Sequence, residues 1–333
     1  MMNEIICGDC LSVLSELPGD SVDCVITSPP YFRQREYGGG GIGCEPGVDE
    51  YIANLVNVFR HCARIVKKTG TVVFNLGDKY AEGGLLSIPW RFALEVQKEG
   101  LARLVNQITW VKANPVPKPS SKKLIPATEP FFIFAKSGEY NFFKDDFMKN
   151  SGRMSQKAGC DIGKSYFALI EKSGLDDSEK IQAKKELESA IAEARRGDIE
   201  SFRMKIRGCH ALPYGGLAGG RMSQIKSKGF SIIKMRGNPM KRDVIESKVE
   251  SIRGCKHPAV YPEYVVGELI KLLTKPGDIV MDPFMGSGTT AVAAAKLGRK
   301  WLGIEISPKY IEMARKRISD FKNRFMSKEP ELI

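Results

Sequence analysis

The chain has 333 residues, 42% of them hydrophobic, which is enough for one large or two modest domains with an ample core. A formal net charge of +12 points to a polyanionic partner, most commonly nucleic acid, without saying anything of specificity. With no run of eighteen apolar residues and no basic-then-apolar leader, a membrane span is not expected, and the expectation is a soluble, cytoplasmic protein.

Asn3 to Gly8 reads as a strand, and Cys10 to Leu17 as a short helix with Leu11, Leu14 and Leu17 on one face, before a turn at Pro18-Gly19-Asp20. Val22 to Ile26 predicts a buried strand that delivers Thr27-Ser28-Pro29-Pro30-Tyr31 at its carboxyl end, the edge where open α/β sheets hold ligands. Consecutive prolines fix the backbone and remove two donors, so the nearby carbonyls become positioned acceptors. With the Ser28 hydroxyl they suit an exocyclic NH2 group, and Tyr31 offers a flat face for a base. The same residues also describe a bare proline-kinked strand end.

Arg33 to Gly43, with Arg33, Arg35, Tyr37 and glycines 38 to 41, reads either as a basic loop beside the pocket or as a plain linker. An amphipathic helix over Asp49 to Val66, a strand over Thr71 to Leu76 and a helix over Ser87 to Glu99 follow. Strands over Ala102 to Lys112 and Phe131 to Ala135 are joined by a proline-rich segment, Asn114 to Pro130.

Residues 144 to 256 break the alternation. Asp176 to Arg196 predicts a charged helix, most simply a solvated face. Ser201 to Lys256 holds thirteen Lys or Arg against three acids, and eight glycines. That composition fits a DNA-binding insert, with charge for phosphates and loops able to enter a groove, or a disordered basic linker.

From Pro262 onward the alternation resumes. Gly277 to Met281 predicts a strand, Asp282-Pro283-Phe284-Met285-Gly286-Ser287-Gly288-Thr289-Thr290 a glycine turn, and the residues up to Gly298 a helix. Glycines let backbone N–H groups approach a ligand, and the helix N-terminus favours a carboxylate or phosphate. A second strand, Lys300 to Ile306, carries Glu305 seventeen positions after Gly288, placed to accept hydrogen bonds from ribose hydroxyls. No Lys follows Gly288, so the loop is not a triphosphate loop. After the helix from Pro308 to Phe325 a third strand is due, and Met1 to Leu17 supplies it with its helix: a circularly permuted, doubly wound, mostly parallel sheet. The eight cysteines and three histidines lack zinc-site spacing, no metal is expected, and the cysteines read as reduced and structural.

The Ser28-Pro29-Pro30-Tyr31 box, the Asp-Pro-Phe-x-Gly-Ser-Gly-Thr-Thr loop, and the order of box, insert and loop resemble the DNA amino-methyltransferases of the beta arrangement. Lys256 to Pro262 resembles the segment before that family's cofactor loop, Gly8-Asp9 its adenine turn, and Asp161 to Ser165 an insert element of some cytosine-N4 members. The resemblance implies the class I S-adenosylmethionine-dependent methyltransferase fold, with catalytic half 1–143, target-recognition insert 144–256 and cofactor half 257–333. It implies S-adenosylmethionine held by Asp9, Asp282, Phe284, Gly286, Ser287, Gly288, Thr289 and Glu305, and catalysis by Ser28, Pro29, Pro30 and Tyr31 on a flipped base of double-stranded DNA. Serine at the head of the box favours cytosine N4, and adenine N6 is the alternative. Methylation at cytosine carbon five is excluded, because it needs a thiolate and no Pro-Cys dipeptide occurs. A cognate restriction endonuclease is an implied partner. A DNA-binding protein without catalysis, or an enzyme for RNA or protein glutamine, are the readings from other classes.

Overall fold

The computed structural model describes residues 2–34, 41–81, 83–115, 122–148, 163–196, 198–199, 201–210, 221–235, 241–250 and 261–326. In chain order the elements are β1 (Glu4–Cys7), α1 (Cys10–Glu16), β2 (Val22–Thr27), α2 (Val48–Ile65), β3 (Val66–Asn75) and the two-residue strands β4 (Tyr80–Ala81) and β5 (Gly84–Leu85). Then come α3 (Ile88–Lys98), β6 (Arg103–Lys112), β7 (Thr128–Ala135), α4 (Lys164–Lys172), α5 (Asp177–Arg196), β8 (Ser201–Ile206), α6 (Arg221–Lys228) and β9 (Phe230–Met235). The last described elements are β10 (Val244–Ser247), α7 (Glu263–Leu273), β11 (Ile279–Asp282), α8 (Thr289–Lys296), β12 (Lys300–Glu305) and α9 (Pro308–Met326). None of the described helices is long and apolar enough to cross a membrane.

Two compact units result, one of Met1–Met148 with Arg242–Ile333, the other of Lys149–Lys241. The first holds an eight-stranded sheet in the order β1-β12-β11-β2-β3-β7-β6-β10. β1 lies parallel to β12, with Glu4 opposite Leu302 and Cys7 opposite Glu305, the pairing that the permuted order predicts. β7 runs antiparallel to both β3 and β6. It follows β6 with no helix between them among the described residues, and strands so joined pair antiparallel.

Both faces of the sheet are covered, which is why its strands read as continuous apolar runs rather than alternating ones. Along β7, Phe132 and Phe134 enter the core under α1, α2 and α3, while Phe131 and Ile133 enter the core under α7, α8 and α9. All four are fully buried, each worth about 1.5–3 kcal/mol of transfer free energy. α2 shows the local logic: Asp49 and Glu50 occupy its first turn, and Ile52, Leu55, Val56, Phe59, Cys62 and Ala63 form its buried stripe.

The second unit is narrower than the 144–256 read from sequence. Phe147 is buried in the core of the first unit, and β10 extends its sheet by pairing with β6. The second unit pairs β8 with β9 over a core of Ile170, Leu187, Met204 and Phe230. Its charged helix α5 is not merely a solvated face. Ala183, Leu187 and Ala190 are fully buried, and acids seven residues apart pair outward: Glu179 with Arg207, Glu186 with Lys228 and Glu193 with Lys234. Seven residues is close to two helical turns, so one edge of α5 neutralises three of the insert's bases.

Candidate active site

Strands β1, β12, β11, β2 and β3 are mutually parallel, so their carboxyl ends share one edge of the sheet. From β11 the chain passes through α8 to β12 on one side, while from β2 it passes through α2 to β3 on the other. The strand order therefore reverses between β11 and β2, the position at which doubly wound sheets open a crevice. Every predicted site residue lies on this edge or just beyond it.

On one side stand the acids. Asp9 follows β1 and caps α1, its Oδ1 accepting from the Ser12 N–H at 3.0 Å. Glu305 ends β12, and its carboxylate accepts from Gly286 N–H at 2.8 Å and Ser307 N–H at 2.9 Å. Burial raises its carboxyl above the ordinary glutamate range, the two amides opposing that shift. The turn itself depends on Gly288, whose φ of +81° suits glycine and whose missing Cβ would stand 3.0 Å from that of Ala314. Phe284 is half-buried and packs against the core under α1 to α3.

Three of the predicted loop residues turn inward. Ser287 and Thr289 are each 3% exposed and accept from the Arg317 guanidinium of α9, at 2.9 Å and 3.1 Å. Asp282, 2% exposed, takes four donors: Thr27 Oγ1 at 2.6 Å, Thr290 Oγ1 at 2.7 Å, Tyr261 Oη at 3.1 Å and the Phe284 N–H at 3.0 Å. Burial nonetheless holds its carboxyl above the usual aspartate range. These side chains brace the loop, and the bond to Thr27 ties it to the residue immediately before Ser28.

On the other side, the box forms a hydroxyl cluster. Ser28 Oγ lies 3.2 Å from Asn75 Oδ1 and 3.3 Å from Tyr31 Oη. Tyr31 Oη reaches Asn75 Oδ1 at 2.8 Å and Glu129 Oε2 at 2.9 Å. The Asn75 amide is oriented by its own donation to Pro130 O at 3.1 Å, and Lys112 Nζ pairs with Glu129 Oε1 at 2.5 Å. Burial first, and Glu129 second, push the Tyr31 phenol well above its ordinary value, so it stays a neutral donor. The Tyr31 ring lies against Gly77, where a Cβ would stand 2.6 Å from Cδ2. Pro29 is buried, and the Pro30 carbonyl accepts from Tyr51 Oη at 2.8 Å.

Thr27, Asn75, Gly77, Lys112, Glu129 and Tyr261 join the site without having been singled out for it by the sequence. Thr27 and Asn75 carried a usable signal, a polar residue directly after a short apolar stretch, Cys24 to Ile26 and Val72 to Phe74. Lys112 and Glu129 carried none, since they meet only through the β6–β7 pairing. Of the other predicted segments, residues 35–40, 161–162 and 256–260 lie outside the described residues. Buried Cys10 has its thiol pushed up to about 12 by desolvation and Asp9, in keeping with a structural role.

A permuted, doubly wound sheet with acids at two strand tips and a glycine turn at a third defines the class I S-adenosylmethionine-dependent methyltransferase fold. The solved cytosine-N4-specific PvuII DNA methyltransferase shares it, with a TM-score of 0.56 at 18% identity over 98% of this chain and 93% of its own. A putative DNA modification methylase from Thermus thermophilus, solved with S-adenosyl-L-methionine, gives a TM-score of 0.54 at 20% identity over 96% and 93% of the chains. The chain belongs to the N6/N4 DNA methylase family, which it matches over residues 22–316. Among curated relatives, the type II methyltransferases M.SmaI of Serratia marcescens and M.Cfr9I of Citrobacter freundii are each 26% identical to it. They align over 95% and 93% of this chain and 90% and 86% of their own lengths.

Proposed function

We propose that this DNA methyltransferase transfers a methyl group from S-adenosylmethionine to the exocyclic N4 amine of cytosine in double-stranded DNA, as the modification enzyme of a restriction-modification system. The observation that carries this is the 2.6 Å bond from Thr27 to Asp282, which joins the box and the glycine loop at the crevice. The donor set fits the cofactor: Asp9 and Glu305 accept from an adenine amine and ribose hydroxyls, and the N-terminus of α8 favours a carboxylate. Bound there, S-adenosylmethionine supplies an electrophilic methyl group on a sulfonium. The box deals with the other reactant. An aryl amine is a weak nucleophile because its lone pair is delocalised into the ring. Ser28 Oγ and the Pro29 carbonyl draw its protons, pyramidalise the nitrogen and localise the pair. The base leaves the helix first, at a cost of about a few kcal/mol. Serine rather than aspartate at the head of the box favours cytosine over adenine. The second unit supplies target contacts, with Arg203 and Lys226 exposed for phosphates.

The test is incubation with unmodified DNA of varied sequence and labelled cofactor, then digestion to nucleosides and mass spectrometry. N4-methylcytosine is expected, whereas N6-methyladenine would keep the fold and mechanism and overturn the role given to Ser28 in base choice.

A further inference from the structure

Methyl transfer leaves one proton too many on the amine, and the structure contains a route for it. Ser28, Asn75 and Glu129 lie on strands or strand ends whose side chains share one face of the sheet. Cys24, Ile26, Val73, Phe131 and Ile133, at alternate positions on the same strands, all enter the core under α7 to α9. From the Ser28 hydroxyl the contacts run through the Tyr31 hydroxyl at 3.3 Å to the Glu129 carboxylate at 2.9 Å. We propose that Tyr31 and Glu129 form a proton relay in which Glu129 accepts, through Tyr31 and Ser28, the proton lost by the methylated amine. This inference rests on the assignment of Ser28 to the target amine.

The step balances. The amine nitrogen forms its bond to the methyl carbon as the sulfonium S–C bond breaks and its electron pair stays on sulfur. An amine N–H bond breaks, and its proton goes to Ser28 Oγ. Ser28's own proton passes to Tyr31 Oη, and that of Tyr31 to Glu129 Oε2. Sulfonium and carboxylate enter; thioether and carboxylic acid leave. The groups facing Glu129 suit this. Lys112 from β6 pairs with its other oxygen and so leaves Oε2 turned to Tyr31, and β3 presents the uncharged Asn75 amide to Tyr31. Glu129 is 13% exposed at its side chain, so the proton has a path to solvent. Tyr31 then acts through its hydroxyl as well as its ring, and Glu129 is a positioning residue that never touches the base.

Glu129→Gln tests the relay, because glutamine can still accept from Lys112 and donate to Tyr31, which preserves the fold while removing the proton acceptor. Methyl transfer in a single turnover is measured against pH for wild type, Glu129→Gln and Tyr31→Phe, with thermal melts and cofactor calorimetry as controls. The expected result is a loss of about a hundredfold in rate for both variants, unchanged cofactor affinity, and disappearance of the wild-type acid limb in Glu129→Gln. Wild-type rate, or an acid limb persisting unshifted in Glu129→Gln, overturns the relay while leaving the methylation reading intact. Loss of folding or of cofactor binding in Glu129→Gln also overturns it, assigning the residue a structural role. A wild-type protein that methylates no exocyclic amine would sink both.

Discussion

Ser28 and Glu305 lie on opposite sides of the crevice, and their substitutions should separate cleanly. Ser28→Ala should lower turnover by about a hundredfold with cofactor affinity nearly unchanged, since it removes a group that acts on the amine in the transition state. Glu305→Ala should weaken cofactor binding about tenfold to a hundredfold, the range of a charge-assisted hydrogen bond. Calorimetry showing an equal loss of cofactor binding in both would dissolve the division of the site. Asp282 has a different signature. Its folded-state carboxyl is raised by burial, so the native protein holds that proton more tightly than the unfolded chain. This contribution to stability is fully present below the ordinary aspartate value and is lost as pH rises through the raised one. The stability of wild type relative to Asp282→Asn should therefore increase on acidification through that window, measured by denaturant unfolding at a series of pH values. A difference flat with pH would mean that Asp282 is not shifted as its burial implies.

At the scale of single elements, the end of β3 and the turn after it hold the reactive residues in place. Asn75 closes the strand with its Oδ1 within reach of both the Ser28 and the Tyr31 hydroxyl, and Gly77 leaves room for the Tyr31 ring. Gly77→Ala should push the ring aside, break the Tyr31–Glu129 bond and lower turnover by at least about tenfold with cofactor affinity intact. A crystal structure of the variant with Tyr31 unmoved, or undiminished turnover, would contradict this. The strand itself was legible, since Thr71 to Leu76 is an apolar, β-branched run. Its start was not: β3 begins at Val66, directly after α2, through residues whose Lys67 and Lys68 resemble a turn. The pairing with β2, which begins opposite Val22, decides that boundary.

For the whole molecule, net charge overstates what is available to DNA. Arg207, Lys228 and Lys234 are spoken for by α5, whereas Arg203 and Lys226 are exposed. Replacing Arg203 and Lys226 together by Gln should weaken DNA binding across sequences and reduce the slope of log affinity against log salt by up to about two. An unchanged slope would remove this face from the DNA contact. Arg207→Gln should act instead on stability, by up to about 1 kcal/mol, because it removes an ion pair with Glu179 whose arginine is 42% exposed. Thermal unfolding distinguishes the two effects.

The doubly wound sheet, its permuted order, the Ser28 box and the 282–290 turn were all readable from the chain alone. Each is written in consecutive residues: apolar runs of strand length, glycines where φ must be positive, prolines that fix acceptors. What tertiary structure decided is which of these meet. Thr27 and Asp282 are 255 positions apart and Tyr31 and Glu129 are 98 apart. Both contacts depend on strand order and on the reversed direction of β7. Those follow from covering both faces of the sheet at once, a global packing condition that no local pattern encodes.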